Sequence, residues 1–153
     1  MLCLLKVALC CAIIALPLAA AEPGVKAQLV GGTVGGVAAK TNSRLDLTGA
    51  DSLSISWGTA GLRIAYQKIN TLEYGQNVSR RIAEAILISP LLLLSKSRKH
   101  FVTIGYIDAE GKQQALVFRV EKGDIRSVLA SLEARTGRRV EYQDSEARKA
   151  GKG

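Results

Sequence analysis

Hydrophobic and polar positions alternate along most of this chain. In 52–57, Leu53, Ile55 and Trp57 alternate with three serines; past Gly58-Thr59-Ala60-Gly61, Leu62, Ile64 and Tyr66 alternate with Arg63 and Ala65. A period of two with one polar side predicts antiparallel strands that keep one face wet, here joined as a hairpin. Residues 44–48 add a strand through Leu45 and Leu47, turned by Gly49-Ala50-Asp51. The stretch 67–74 predicts a bent continuation that offers Ile69, Leu72 and Tyr74 to a core. The second half repeats the pattern. Val102, Ile104 and Tyr106 share one face of 100–107, and Leu116, Phe118 and Val120 share one face of 113–120. Between them 108–112 predicts a hairpin connection, with Gly111 suited to a positive φ.

The period then changes to 3.6. Ile125, Val128, Leu129 and Leu132 fall at i, i+3, i+4 and i+7, one apolar helical stripe, with Arg126, Glu133 and Arg135 turned to water. Asp124 is the expected N-cap and Gly137 the stop after about Thr136. Val140-Glu141-Tyr142 predicts a short extended piece, and 143–153 a charged, frayed tail. Upstream, 22–43 is glycine-rich, and QLVGGTVGGV over 28–37 predicts a bent or bulged edge strand. It is no phosphate loop, because Lys40-Thr41 follows Ala39 and runs into the turn residues Asn42-Ser43. The predicted fold is mainly β. Six to seven antiparallel strands form a strongly bent sheet or partly open barrel, capped by one C-terminal amphipathic helix.

The segment 77–99 breaks the alternation. Residues 82–94 are apolar apart from Glu84, Ser89 and Pro90, with Arg80-Arg81 on one flank and Lys96, Arg98 and Lys99 on the other. Pro90 divides the run, and thirteen residues are too few to span a bilayer. Two uses remain open. The leucines can enter the acyl boundary of a membrane while the cations meet anionic headgroups, or they can pack on the sheet as core. The candidate interaction surface is Arg80, Arg81, Leu91, Leu92, Leu93, Lys96, Arg98 and Lys99.

Residues 1–21 read as a secretory signal. Lys6 precedes an apolar core broken at Pro17, and Ala19-Ala20-Ala21 supplies small residues for cleavage. An uncleaved anchor helix is the alternative. All three cysteines, Cys3, Cys10 and Cys11, lie in this segment, so a trimmed chain carries no disulfide, thiol nucleophile or thiolate-bound metal. Of 153 residues, 132 remain. The 21 basic residues less Lys6 leave 20 against 13 acidic, a net charge of +7. Export to the periplasm or beyond separates such a chain from nucleic acid, so its basic excess points to an anionic lipid surface or an envelope protein partner.

Little in the sequence points to catalysis. His100 is the lone histidine, beside Arg98-Lys99; no G-x-S-x-G elbow accompanies it, and one histidine without cysteine cannot supply a zinc set. Asp46, Asp51, Asp108 and Glu110 occupy positions expected of turn and cap residues. No catalytic, metal or cofactor residue is assigned. An enzyme pairing His100 with a nearby carboxylate is the alternative, as is an oligomerising structural subunit.

Some residues carry a resemblance. The run Leu62-Arg63-Ile64-Ala65-Tyr66-Gln67-Lys68-Ile69, the strand over 100–106, the turn 108–112 and Leu116-Val117-Phe118 resemble steps of bacterial pleckstrin-homology-like (PH/GRAM-like) domains. Over 44–142 the chain is similar to small exported bacterial proteins of unknown function that carry such a domain. The resemblance implies a non-enzymatic binding module, peripheral to a membrane or to an envelope partner, with 77–99 as an insertion.

Overall fold

A computed structural model describes residues 23–35, 38, 40–76 and 99–152. They form strands β1 (Val25–Gly32), β2 (Thr41–Asp46), β3 (Ser52–Trp57), β4 (Ala60–Ala65), β5 (Ile69–Gly75), β6 (His100–Ile107), β7 (Gln113–Val120) and β8 (Glu141–Tyr142). Helix α1 (Ile125–Thr136) precedes β8, and helix α2 (Ser145–Lys152) follows it. A 3-10 turn over Tyr66–Lys68 joins β4 to β5. All eight strands lie in one sheet, in the order β4-β3-β2-β1-β7-β6-β5-β8, antiparallel except where β8 runs parallel to β5.

The alternation read from the sequence sets the inner face. Leu53, Ile55, Ile64, Ile69, Leu72, Tyr74, Val102, Ile104, Tyr106, Leu116, Phe118 and Val120 join one buried cluster. The α1 stripe of Ile125, Val128, Leu129 and Leu132 completes it. A single cluster fed by seven strands requires a strongly bent sheet. Accordingly Leu62 and Ile64 of β4 line one groove with Tyr106 to Glu110 at the β6–β7 hairpin. That hairpin closes as expected: the Asp108 carboxylate accepts the Lys112 N–H at 2.7 Å, and Gly111 sits at φ 78°.

Several expectations are corrected. The sheet has eight strands rather than six to seven among the described residues, and it is open, with β4 and β8 as its edges. The glycine-rich strand lies between β2 and β7 instead of at an edge. Its bulge falls between Leu29 and Gly31. Consecutive burial accompanies that place: Ala27 and Leu29 join the core, and Val30 at the bulge is also fully buried, as suits an interior strand. Thr41, Asn42 and Ser43 belong to β2, and the turn sits at Lys40, at φ 65°. Asp124 makes no side-chain cap, because it has already turned helical at φ −98°, ψ −16°. Its N–H and that of Ile125 both reach the Glu121 carbonyl. Finally, one terminal helix becomes two. The 143–153 tail is held by α2, in which Ala147 and Gly151 are buried and Asp144 Oδ1 accepts the Ala147 N–H at 2.6 Å.

Candidate functional site

Four elements converge at one end of the sheet. Gly75 pairs with Phe101, so β5 leaves and β6 returns side by side, and the segment 77–98 begins and ends at neighbouring points. His100 pairs with Val120, which brings the end of β7 and the following Glu121-Lys122 alongside. Helix α2 adds Glu146, Lys149 and Ala150. These meet Gln76, His100 and Lys122 around an open groove of about 580 Å³. A second hollow shares Lys99, His100 and Lys122 with Arg119, Val120 and Glu121. Four cations (Lys99, Arg119, Lys122 and Lys149) thus surround His100, against the two carboxylates Glu121 and Glu146. Lys122 and Lys149 are exposed, while Lys99 and Arg119 are half-buried.

His100 anchors this end from inside. Its Nδ1 shares a short hydrogen bond with the hydroxyl of the fully buried Tyr74, and the two rings stack with centroids 6.0 Å apart. Tyr142 packs edge-on against Tyr74 at 5.9 Å, and Lys152 Nζ stands 5.6 Å from the Tyr142 ring centre. Burial lowers the His100 pKa, and the Lys122 charge lowers it further, with Glu121 opposing. Burial also raises the Tyr74 hydroxyl, helped by Tyr142 and Asp144. At neutral pH both partners are therefore uncharged. The hydroxyl and Nδ1 share a single proton donor between them, and the imidazole tautomer sets which of the two donates. The partner at Nδ1 is thus the Tyr74 hydroxyl rather than a carboxylate.

Two of the carboxylates considered from sequence, Asp46 and Asp108, have local duties. Asp46 Oδ1 accepts the Thr48 N–H at 2.9 Å and its hydroxyl at 2.6 Å, which holds the Asp46 pKa down. Asp108 is likewise lowered, first by the Gln114 amide and then by the Lys112 N–H. Both stay ionised as turn acceptors. Among the described residues no three His, Cys, Asp or Glu side chains gather as a metal-binding set.

Of the candidate interaction residues, Lys99 stands in this basic end. Arg80, Arg81, Leu91, Leu92, Leu93, Lys96 and Arg98 lie outside the described residues, as do residues 1–21, read from the sequence as a secretory signal. Sequence reasoning missed Arg119, Lys122, Lys149 and Tyr74. The 108–112 hairpin carried the signal for two of them, since closing it sets the start of β6 against the end of β7.

No protein-family model matches the chain, and a search of curated proteins finds no match. The architecture and this basic end are what define its class: an open, bent β-sheet protein with a cationic rim.

Proposed function

We propose that this protein is a non-enzymatic, exported binding module of PH-like kind. It docks on an anionic membrane surface through the basic-flanked segment 80–99 and the cations beside it. One observation carries the reading: both ends of 77–98 emerge where Lys99, Arg119, Lys122 and Lys149 collect. Charges scattered along the chain are there concentrated on one rim. Each cation held near an anionic surface adds about 1 kcal/mol, fading within a Debye length of roughly 8–10 Å. In this reading the protein is periplasmic or secreted and peripheral to the membrane. The bent sheet with the α1 stripe buried against it supports the PH-like reading.

Flotation with vesicles containing anionic phospholipid, against neutral vesicles, tests it. Binding should fall as salt rises. A variant carrying Lys99→Glu, Lys122→Glu and Lys149→Glu should stay in the soluble fraction. Equal binding to neutral vesicles, or no effect of the three reversals, would overturn the reading; salt-sensitive capture by an envelope protein without lipid would move the surface to a protein partner.

A further inference from the structure

An open sheet has two edges, and an unprotected edge is a template for another strand. Here only one edge is blunted. Strand β8 is two residues long, and α2 follows it with Gly151 against Tyr142, Leu129 and Tyr74. Strand β4 is six residues long, with no proline and no bulge in its pairing with β3. Its one charged side chain is Arg63. Among the described residues no strand pairs with β4 on the side away from β3.

The ladder determines which backbone groups that edge offers. The Tyr66 N–H donates to the Asp51 carbonyl at 3.0 Å, and Trp57 pairs with Ala60 across the two-residue turn Gly58-Thr59. Hydrogen-bonded pairs alternate along an antiparallel ladder, so Ala60, Leu62 and Ile64 bond to β3. Gly61, Arg63 and Ala65 turn their N–H groups the other way, as Gly61 and Arg63 turn their carbonyls. All three residues are exposed. Three donors and two acceptors thus stand in a row at the spacing a further strand would match.

A groove of about 390 Å³ runs beside them. Leu62 and Ile64 line it from β4, and Tyr106, Ile107 and Ala109 line it from the β6–β7 hairpin. Leu62 is half-buried although it packs against the core cluster, so apolar surface remains for a newcomer to cover. Arg63 and Lys68 bring positive charge from the β4 side. On the hairpin side Asp108 is engaged by the Lys112 N–H and the Gln114 amide, while Glu110 is exposed at the tip. Because the hairpin bounds the groove opposite β4, a single strand has room where the edge of a second sheet would meet the hairpin.

We propose that β4 is a strand-addition site for an extended segment of a partner polypeptide, one whose apolar side chains flank an acidic side chain set opposite Arg63. Main-chain hydrogen bonds to Gly61, Arg63 and Ala65 supply affinity, and the alternating side chains supply selectivity. A residue opposite Arg63 shares its face of the sheet, where unlike charges are favoured. Its two neighbours point to the other face, toward Leu62 and Ile64. The groove lies at the Ile107 end of β6 and the cationic rim at the His100 end. Eight residues at about 3.4 Å each separate them by roughly 25 Å. The site therefore stands apart from the docking reading and leaves the rim free while a segment is bound.

Amide hydrogen exchange on the full chain tests it. In the free protein the Gly61, Arg63 and Ala65 N–H groups should exchange quickly and those of Leu62 and Ile64 slowly. The probe is a blocked hexapeptide that alternates valine with glutamate and threonine, against a scrambled peptide of the same composition. The alternating peptide should protect Gly61, Arg63 and Ala65. Arg63→Pro removes an outward N–H and no bond to β3, so it should fold and lose that protection. Arg63→Glu retains the N–H and serves should the proline variant fail to fold; it should weaken the peptide by about threefold to tenfold, and exchanging the peptide's glutamate for lysine should restore binding. Slow exchange of the three N–H groups in the free protein, equal binding of the scrambled peptide, or protection that appears only as the protein dimerises would each overturn the proposal.

Discussion

Leu132→Ala measures how much of this fold depends on α1. Leu132 is 0% exposed and ends the stripe that begins at Ile125, in the one cluster to which seven strands contribute. Truncating such a leucine removes its transfer free energy and leaves a cavity, a loss of about 2–5 kcal/mol. Against the roughly 5–15 kcal/mol that hold a domain together, that is a large share. Trp57, the lone tryptophan, is half-buried against the cluster and reports unfolding by fluorescence. In urea the midpoint should drop with the slope unchanged. Arg126→Ala, on the exposed side of α1, should stay within about 0.5 kcal/mol of the parent. If Leu132→Ala costs no more than Arg126→Ala, the helix does not stopper the sheet, and the fold argument fails at its centre.

Other consequences are equally open to measurement. Because the folded protein holds the His100 pKa below its ordinary value, the unfolded chain takes up the proton first as pH falls. Stability is complete above about 6.5 and declines as pH drops from there toward the folded value. His100→Gln should flatten the urea midpoint between pH 7.5 and 5.5, and an unchanged slope would show that another group is responsible. Ala147→Asp places a carboxylate where α2 meets the core. Hydrogen exchange should lose protection over 145–152 while β6 and β7 keep theirs, and full retention would mean that α2 is not seated there. Gly137 ends α1 at φ 67° with no atom near its missing side chain, so Gly137→Ala should cost about 1 kcal/mol from backbone strain alone. A neutral result in the same urea assay would contradict the left-handed cap.

Elements with an unbroken period of two or 3.6 were legible in the sequence, β6 and β7 among them, whereas the bulged β1 and the small-residue helix α2 were not. In β3, Leu53 and Ile55 face inward and the intervening Ser54 does not, because one face meets the core and the other water. The α1 stripe was equally plain. Strand β1 hid its place because Leu29-Val30 interrupts alternation: both residues are buried, and the register against β7 shifts between Leu29 and Gly31. Glycine there signals close approach as much as a bend, since a Cβ on Gly32 would lie 2.6 Å from Leu116 Cδ2. Helix α2 hid for a different reason. Its anchoring face is Ala147 and Gly151, four residues apart, so a one-sided pattern was present but carried no large apolar side chain to mark it as core.

The site was the least legible part, and topology explains why. Lys99, Arg119, Lys122 and Lys149 are brought together by three separate events: the β5–β6 return, the β6–β7 register and the docking of α2. Only the second is written locally, in the 108–112 turn. The same events place Tyr74 under His100, and that contact accounts for the electrostatics of the rim. A charged imidazole among four cations would be repelled; buried against Tyr74 and facing Lys122, His100 stays neutral instead. The rim therefore presents its positive charge in part from the exposed Lys122 and Lys149, while its base is a stack of uncharged rings. Such a surface suits attraction to a diffuse field of headgroups better than a stereospecific pocket, since mobile ammonium groups adapt to any spacing of anions. Replacing Lys122 and Lys149 with arginine should accordingly preserve vesicle binding, whereas a site built on geometry would lose it.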